Sequence, residues 1–362
     1  MEESKHKFPY EWTLKDAKFT KDKGTVFSCF ACGGGSTMGY KLAGFDVLGC
    51  NEIDPKMMEA YKANHDPKYA YLEPIQTFKL RKDLPKELYN LDILDGSPPC
   101  SSFSMAGNRE KDWGKKKKFR EGQAEQILDN LFFDFIDLAN ELQPKVVVAE
   151  NVKGLLQGGA KEYVRRIYRE FDKAGYYCQH WLLDASKMGV PQRRERVFFI
   201  CLRKDLAKPF LKQMDLFTVA PELELCFNEN GIKFKDIIDW NCKIVGLSKL
   251  DGELWDHREN GDIDLCDISL RIRGILSRFN AKFLYLNKVA NTVTASDQCV
   301  LFDLKRGRNK EETLKCGTYP KDYDFCQNKP EYLIGMSVPP VMTAQIASKI
   351  YDQWLCNLQT PT

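Results

Sequence analysis

Two residues whose types could carry out chemistry each follow an apolar stretch of the chain. Cys100 comes directly after Pro98 and Pro99 in "GSPPCSSFS", and the apolar run 91–94 precedes that segment. Proline fixes φ, has no N–H and restricts the residue before it, so this backbone is expected to be stiff and extended. Glu150 stands at the end of a second apolar run, in "VVVAENV". We therefore expect both side chains at the carboxyl edge of a parallel sheet, where such sheets bind their ligands.

A cysteine and a carboxylic acid facing one crevice suggest a specific reaction. A thiolate is a nucleophile, and an electron-poor pyrimidine accepts it at ring C6 while an acid protonates or hydrogen-bonds N3, which turns C5 into a carbon nucleophile. Asn151, beside Glu150, is expected to hold a substrate or fix the loop. No histidine is near Cys100 in sequence. That spacing disfavours a cysteine protease, although a distant histidine could fold in.

A glycine-rich turn early in the chain is typical of nucleotide binding. "TVFSCF" predicts a strand, Gly33–Gly35 break it, and Ser36 is a candidate N-cap for a helix that ends near residue 43. The next strand ends in Glu52, which follows Gly33 by 19 residues, and such an acid can accept bonds from ribose hydroxyls. Dinucleotides, adenosine and S-adenosylmethionine all fit, and so does a tight turn without a ligand.

The order of predicted elements indicates an α/β fold with a second domain. Strand and helix patterns alternate through residues 1–204, which predicts a doubly wound, mostly parallel sheet in a catalytic, cofactor-binding domain. The alternation is lost over 205–330, where we expect a smaller, irregular, β-rich domain. Helical spacing returns in 331–362, a segment expected to pack back on the first domain.

Composition excludes several classes of protein. The 362 residues are 43% hydrophobic and 29% charged, with no apolar run long enough for a membrane helix and no secretory leader, so a cytosolic protein is expected. A metal site is not expected, because the Cys29–Cys32 spacing has no second pair and the four histidines are scattered. The net charge of +3 is small. Four basic clusters nevertheless favour a phosphate backbone as partner: 115–120, 193–196, 271–278 and 305–310.

The succession of motifs resembles the C5-cytosine DNA methyltransferases of bacterial and phage type. The resemblance is dense over residues 25–204 and looser over 311–355, and a Pro-Cys followed by ENV and then QxRxR is highly specific. The motifs come in the family's order: "FACGGG", "NEID", "GSPPCSSFS", "ENVKGLL", "PQRRERVFFI" and "GMSVPP". The resemblance implies a Rossmann-like methyltransferase fold and S-adenosylmethionine as cofactor.

The resemblance also implies catalytic roles. Cys100 would attack C6 of a cytosine flipped out of duplex DNA, and Glu150 would bind N3 and the exocyclic amine. Arg196 would polarise O2, Arg194 would support the loop or the site, and Asn151 belongs to the same catalytic set. C5 would then take the methyl group, and β-elimination would release the cysteine.

Two further sets of residues follow from the resemblance. Phe30 and Ile53 would pack on the adenine, Glu52 would hold the ribose and Leu131 would line the methionine end. The cofactor-binding set is completed by Gly33, Gly34, Gly35, Ile75 and Pro99. Pro99 and Ser101 would shape the backbone around the nucleophile. The segment after Cys100 would close over DNA, with a DNA-binding set of Ser101, Ser104, Lys115, Lys116, Lys117, Lys118 and Arg120.

The implied partner is double-stranded DNA, lying between the catalytic domain and a target-recognition domain at 205–330. A monomer without membrane association is expected, in a prokaryotic cytoplasm and encoded by the cell or a phage. A cognate restriction endonuclease acting separately is the second partner that the resemblance allows.

Some positions depart from the family's pattern. Ser28 stands where an acidic residue usually precedes the glycine motif, and Met336 replaces an asparagine. Pro74 replaces the aspartate that commonly reads the adenine amino group, so Glu73 or a backbone carbonyl is the candidate substitute. Glu311 stands where an arginine usually precedes the glutamate of the penultimate motif.

Three rival functions are open to test. A tRNA cytosine-5 methyltransferase shares the catalytic motifs, but the Cys-Phe-Thr run typical of its recognition insert is absent, since Asn228 follows Cys226 and Phe227. A catalytically silent DNA-binding module would have lost the nucleophile or the acid. A nicotinamide-dependent oxidoreductase would leave the Pro-Pro-Cys and QRRER segments unexplained.

Overall fold

The computed structural model describes residues 6–99, 116–117, 126–127, 130–157, 160–213, 219–241, 243–296 and 298–358. Several residues of the predicted site lie outside that range, namely Cys100, Ser101, Ser104, Lys115, Lys118 and Arg120, and so do the side chains of Lys116 and Lys117.

The described strands and helices follow the predicted alternation. The strands are β1 (Thr25–Cys29), β2 (Asp46–Glu52), β3 (Tyr69–Leu72), β4 (Ile93–Gly96), β5 (Lys116–Lys117), β6 (Gln126–Ile127), β7 (Val146–Val152), β8 (Tyr176–Asp184), β9 (Glu195–Arg203), β10 (Leu211–Gln213), β11 (Val219–Pro221), β12 (Phe283–Leu284) and β13 (Val300–Leu301). The helices are α1 (Gly35–Leu42), α2 (Pro55–His65), α3 (Ile75–Phe78), α4 (Leu131–Leu142), α5 (Lys161–Lys173), α6 (Lys249–Asp256), α7 (Leu265–Arg273), α8 (Lys310–Gly317), α9 (Pro330–Met336), α10 (Pro340–Ile350) and α11 (Cys356–Leu358).

Seven strands form one sheet in the order β3-β2-β1-β4-β7-β9-β8. The neighbours from β3 to β7 run parallel, whereas β9 runs antiparallel to β7. The mainly parallel α/β fold predicted from the sequence is confirmed. The reversal at β9 matters for the site, because it brings the start of β9 next to the end of β7.

Apolar side chains from strands and helices make the core beneath this sheet. Along α4 they recur at helical spacing, and Phe132 packs edge-on against Phe171 and Phe199, with ring centroids 6.4 and 5.5 Å away. Burying such a ring stabilises the fold by about 1.5–3 kcal/mol. The opposite face of the sheet packs on α2 through Cys50, Met58 and Tyr61. Both faces are thus covered, as a parallel sheet requires.

The chain divides into two compact units that are each discontinuous in sequence. The larger comprises residues 18–183, 195–226 and 343–362 and holds the seven-stranded sheet. The smaller comprises 1–17, 184–194 and 227–342. The division into continuous functional domains at 204 and 330 stays a prediction.

Residues 205–330 were expected to be β-rich. The smaller unit, which holds most of them, contains more helix than strand. Its described residues carry helices α6 to α9 and one two-stranded sheet, β12 with β13. The apolar run "FLYL" supplies only two strand residues, whereas polar caps start helices: Ser248 for α6, Asp264 for α7 and Asn309 for α8 each accept a bond from a first-turn backbone N–H. Polar caps thus mark where these three helices begin.

No helix within the described ranges is long and apolar enough to span a lipid bilayer.

Candidate active site

Glu150 and Arg196 meet because β9 runs antiparallel to β7. In the register, Glu150 is opposite Phe198 and Val152 is opposite Arg196, so the two charged residues are diagonal neighbours on one face of the sheet. The Arg196 Nε lies 3.0 Å from Glu150 Oε1, and both side chains are less than one-fifth exposed. The two residues therefore form one partly desolvated ion pair near the carboxyl end of β7.

Each member of this pair keeps a polar atom for something else. Arg196 Nη1 donates to the carbonyl of Glu195 at 2.8 Å. Among the residues that the structure describes, neither Arg196 Nη2 nor Glu150 Oε2 has a hydrogen-bond partner. Burial lowers the pKa of the Arg196 guanidinium, and the Glu150 carboxylate opposes that shift. A donor beside an acceptor suits a planar ring that displays both kinds of group on one edge.

Asn151 ties β7 to the segment that leads to Cys100. Its Nδ2 donates to the carbonyl of Pro98 at 3.2 Å, and its Oδ1 accepts from the backbone N–H of Val152 at 2.9 Å. Asn151 and Pro98 are buried, and Pro99 is partly exposed. The carbonyl two residues before the predicted nucleophile is thus held by the residue after the predicted acid.

Asp95, at the end of β4, is a buried acid that the sequence analysis did not identify. It accepts from the hydroxyls of Ser28, Ser36 and Tyr40. Burial raises the pKa of the Asp95 carboxyl to about 6, and the charge of Glu150 adds to the shift. The signal available in the sequence was the second aspartate of "LDILD", which closes an apolar strand.

The predicted glycine turn joins β1 to α1 through left-handed backbone. Phe30 (φ 52°) and Cys32 (φ 50°) are strained non-glycine residues, and Gly34 (φ 85°) is the N-cap of α1. Ser36 is therefore the second residue of the helix rather than its N-cap. A Cβ on Gly34 would lie 2.2 Å from His65 Nε2, so no larger residue fits there.

Glu52 is fixed at the end of β2 by three backbone N–H groups. Its Oε2 accepts from Cys32 at 2.7 Å, and its Oε1 accepts from Ile53 and Asp54 at 2.8 and 2.9 Å. Burial raises the pKa of the Glu52 carboxyl, and the backbone donors partly offset that effect. The carboxylate thus links the glycine turn to the start of α2, which Asp54 caps.

The other predicted cofactor residues differ in accessibility. Phe30 and Ile53 are partly exposed, whereas Ile75 is buried and Leu131 is fully buried in the core under α4. Pro74 is the N-cap residue of α3. The carboxyl oxygens of Glu73, the suggested substitute for the missing aspartate, already accept from Thr77 Oγ1 at 2.8 Å and Arg81 Nη1 at 2.9 Å, and its carbonyl accepts from Asn51 Nδ2 at 2.8 Å.

Arg194 has different surroundings from Arg196. It belongs to the smaller unit, is 2% exposed, and donates to three backbone carbonyls, those of Val293, Gly335 and Ser337, at 2.8–3.1 Å. This geometry fixes a loop of that unit.

Most of the other arginines in the predicted basic clusters are also engaged within the protein. Arg271 pairs with Asp262 and Arg278 with Asp251. Arg306 and Arg308 are buried, and Arg306 forms a two-pronged pair with Glu312 at 2.6 and 3.0 Å. Glu312 therefore pairs with Arg306, although Glu311 stands where the family usually has an arginine.

Comparison with known proteins finds relatives of this chain. A family model described as C-5 cytosine-specific DNA methylase matches residues 24–352. The Type II methyltransferase M.FnuDI of Fusobacterium nucleatum is 36% identical over 181 residues, which cover 50% of this chain and 47% of that protein. The Type II methyltransferase M.NgoFVII of Neisseria gonorrhoeae is 25% identical over 361 residues, covering 93% and 89%. With M.FnuDI, the match thus spans about half the length of the relative.

Two solved structures share the fold. A putative DNA modification methyltransferase encoded within an E. coli prophage superposes with a TM-score of 0.65 at 21% identity, covering 91% of this chain and 99% of that one. Spodoptera frugiperda DNMT2 superposes with a TM-score of 0.62 at 17% identity, covering 90% and 99%. At these identities the likeness concerns the fold alone.

Proposed function

Because this chain belongs to the C-5 cytosine-specific DNA methylase family, we propose that it transfers a methyl group to C5 of a flipped cytosine in a specific duplex DNA sequence. The observation that carries the proposal is the ion pair of Glu150 and Arg196 near the carboxyl end of β7. Its unused acceptor and donor match the N4–H donor and O2 acceptor on one edge of cytosine.

The proposed chemistry divides between three side chains. Cys100, as thiolate, adds to C6 of the cytosine, which leaves carbanion character at C5. Glu150 accepts from the exocyclic amine and, carrying a proton, donates to N3, and Arg196 donates to O2, so both stabilise the negative charge that develops on the ring. After C5 has been methylated, solvent water takes up the C5 proton, and β-elimination breaks the S–C6 bond and frees the Cys100 thiolate. Asn151 contributes by holding the Pro98 carbonyl.

The carboxyl edge of β1 and β2 fits S-adenosylmethionine, which when bound supplies an electrophilic methyl group. The Glu52 Oε2 receives one donor from the described residues, the Cys32 N–H, so a further lone pair can accept from a ribose hydroxyl. Gly34 has no room for a Cβ, and a bare backbone at a helix N-terminus suits close approach of a ligand. Phe30 and Ile53, both partly exposed, are the proposed contacts to the adenine ring.

The finer proposals concern partners. Ser101, Ser104, Lys115–Lys118 and Arg120 are proposed to contact DNA, and residues 205–330 to recognise the target sequence. We propose a monomer acting in the bacterial cytoplasm, beside a cognate restriction endonuclease, because the relatives are named Type II methyltransferases. Light scattering after size exclusion tests the monomer.

Bisulfite sequencing of DNA from cells that express the protein tests the reaction. We expect new methylated cytosines within one sequence motif, and none with Cys100→Ser. A folded protein that binds S-adenosylhomocysteine yet methylates no cytosine in DNA would contradict the proposal. Incubation with total tRNA is the arm that would then reveal the tRNA activity, which the Type II relatives do not favour.

A further inference from the structure

We propose that Asp95 is a positioning residue, whose carboxylate clamps both arms of the glycine turn and thereby sets the shape of the cofactor site. The inference rests on the proposed function for the identity of the ligand, S-adenosylmethionine or its product S-adenosylhomocysteine. The hydrogen bonds that form the clamp are all between side chains that the structure describes.

The three donors to Asp95 come from either side of the turn. Ser28 in β1 precedes the turn and donates to Oδ2 at 2.8 Å. Ser36 and Tyr40 follow the turn on one face of α1 and donate to Oδ2 at 2.7 Å and to Oδ1 at 3.2 Å. Ser28 and Asp95 are direct partners in the parallel register of β1 and β4, so their side chains point to the same face. The carboxylate therefore fixes the angle at which α1 leaves β1.

The clamp uses a charge where a neutral group would cost less. Asp95 is 4% exposed, and the donors recorded for it among the described residues are three neutral hydroxyls. Burying a carboxylate without a cation is unfavourable, and packing alone does not require it. Hydroxyl bonds to an ionised acceptor are shorter and stronger than neutral ones, which suits a part that must hold its geometry. Other titratable groups facing Asp95 are Glu150 on β7 and Tyr61 on α2, whereas Cys29, the next residue of β1, lies in the core on the opposite face.

A second acid in the same segment provides a matched control. Asp92, just before β4, also joins that strand to β1, accepting from the N–H of Thr25 at 2.7 Å and from Lys145 Nζ at 2.7 Å. It is buried to a similar extent as Asp95. Asp92 binds β1 at its first residue, Thr25. Asp95 binds β1 at Ser28, next to the glycine turn. Loss of either acid should destabilise the fold, but only Asp95 should affect the turn.

The experiment makes three measurements. Calorimetry gives the affinity for S-adenosylhomocysteine, urea unfolding gives the stability of the fold, and amide exchange without ligand gives the local opening of residues 30–40. We expect Asp95→Asn to raise the dissociation constant about tenfold and to speed exchange in the turn, whereas Asp92→Asn changes neither. The double variant Ser28→Asp/Asp95→Ser moves the carboxylate to the paired position. It should bind within about threefold of wild type, unlike Asp95→Ser alone.

Equal affinity and exchange in folded Asp95→Asn and wild type would overturn the proposal, and so would equal effects of Asp95→Asn and Asp92→Asn. If Asp95 variants do not fold, Ser36→Ala/Tyr40→Phe removes the two α1 donors instead, and unchanged turn exchange in that folded variant overturns the clamp. A wild-type protein that does not bind S-adenosylhomocysteine would contradict the proposed function, while the exchange measurement would still decide the clamp.

Discussion

Arg196 lies diagonally across the antiparallel pair β7–β9 from Glu150, with 3.0 Å between its Nε and Glu150 Oε1. The contact depends on strand direction. A parallel β9 would place the end of the strand, near Arg203, beside the end of β7, and residue 196 would be at the opposite edge. The antiparallel strand thus brings Glu150 and Arg196, which are 46 positions apart in the chain, together as one ion pair.

Removing Arg196 should slow methyl transfer far more than it weakens DNA binding. The guanidinium stabilises charge that grows on the cytosine ring, and its loss leaves the Glu150 carboxylate partly buried without its cation. We expect Arg196→Ala to lower the single-turnover rate by about 10²–10³-fold, measured with a labelled methyl donor.

Lys153→Ala is the matched control for Arg196→Ala. Its pair with Glu195 is adjacent but exposed, with side chains 42% and 46% accessible, so the rate should change by less than about twofold. An Arg196→Ala enzyme as fast as wild type would show that the pair has no part in the reaction.

The sequence predicted the sheet better than it predicted the site's contacts. Strands such as β7 are continuous apolar runs, and α2 begins at the predicted Pro55, so local patterns sufficed. The contact between Glu150 and Arg196 was not predictable from spacing. It depends on the direction of β9, which is set by the path of the chain before that strand. Arg194 and Arg196 look alike in "QRRER", yet burial among carbonyls separates the first from the second. Ser28 stands where the family usually has an acidic residue. Only the strand register shows that Asp95 lies beside it on the neighbouring strand β4.

Asn151→Ala should weaken both the fold and the reaction. The substitution leaves the buried Pro98 carbonyl without the Nδ2 donor and the Val152 N–H without its acceptor. The expected loss in the free energy of unfolding is about 1–3 kcal/mol in urea titrations. The rate of methyl transfer should fall further than stability explains, because Pro98 leads to Cys100. Normal transfer by a destabilised variant would limit Asn151 to a structural role.

Stability should depend on pH through Asp95. The pKa of its carboxyl rises from 3.8 to about 6 on burial, so folding favours the protonated form. Its contribution is complete below the unfolded pKa and is lost as pH rises through the folded pKa. The free energy of unfolding of wild type minus that of Asp95→Asn should therefore fall by about 2 kcal/mol between pH 4 and 7. Urea titrations across that range measure the difference, and a flat difference would contradict the shift.

Gly34→Ala should destabilise the protein more than a glycine substitution with the same backbone strain. At Gly34 (φ 85°) the added Cβ would be 2.2 Å from His65 Nε2, whereas at Gly175 (φ 92°) nothing lies within 4 Å. Gly175→Ala should cost about 1–2 kcal/mol from the left-handed backbone alone. Gly34→Ala should cost clearly more, and adding His65→Ala should recover part of the excess. Equal losses for the two single variants would exclude the clash with His65.

Arg194→Ala should unfold the smaller unit more readily without changing the chemistry of the molecules that remain folded. The substitution strips donors from three carbonyls, of Val293, Gly335 and Ser337, which lie around the end of α9. We expect a loss of about 3 kcal/mol or more in thermal unfolding, because buried carbonyls left without donors are costly. Arg193→Ala is the control, since its guanidinium is exposed and bonded to Asn291, and it should change stability by about 0.5 kcal/mol or less. Below the unfolding transition, the single-turnover rate of Arg194→Ala should match wild type. A stable variant with a slow rate would instead place Arg194 in the catalytic machinery beside Arg196.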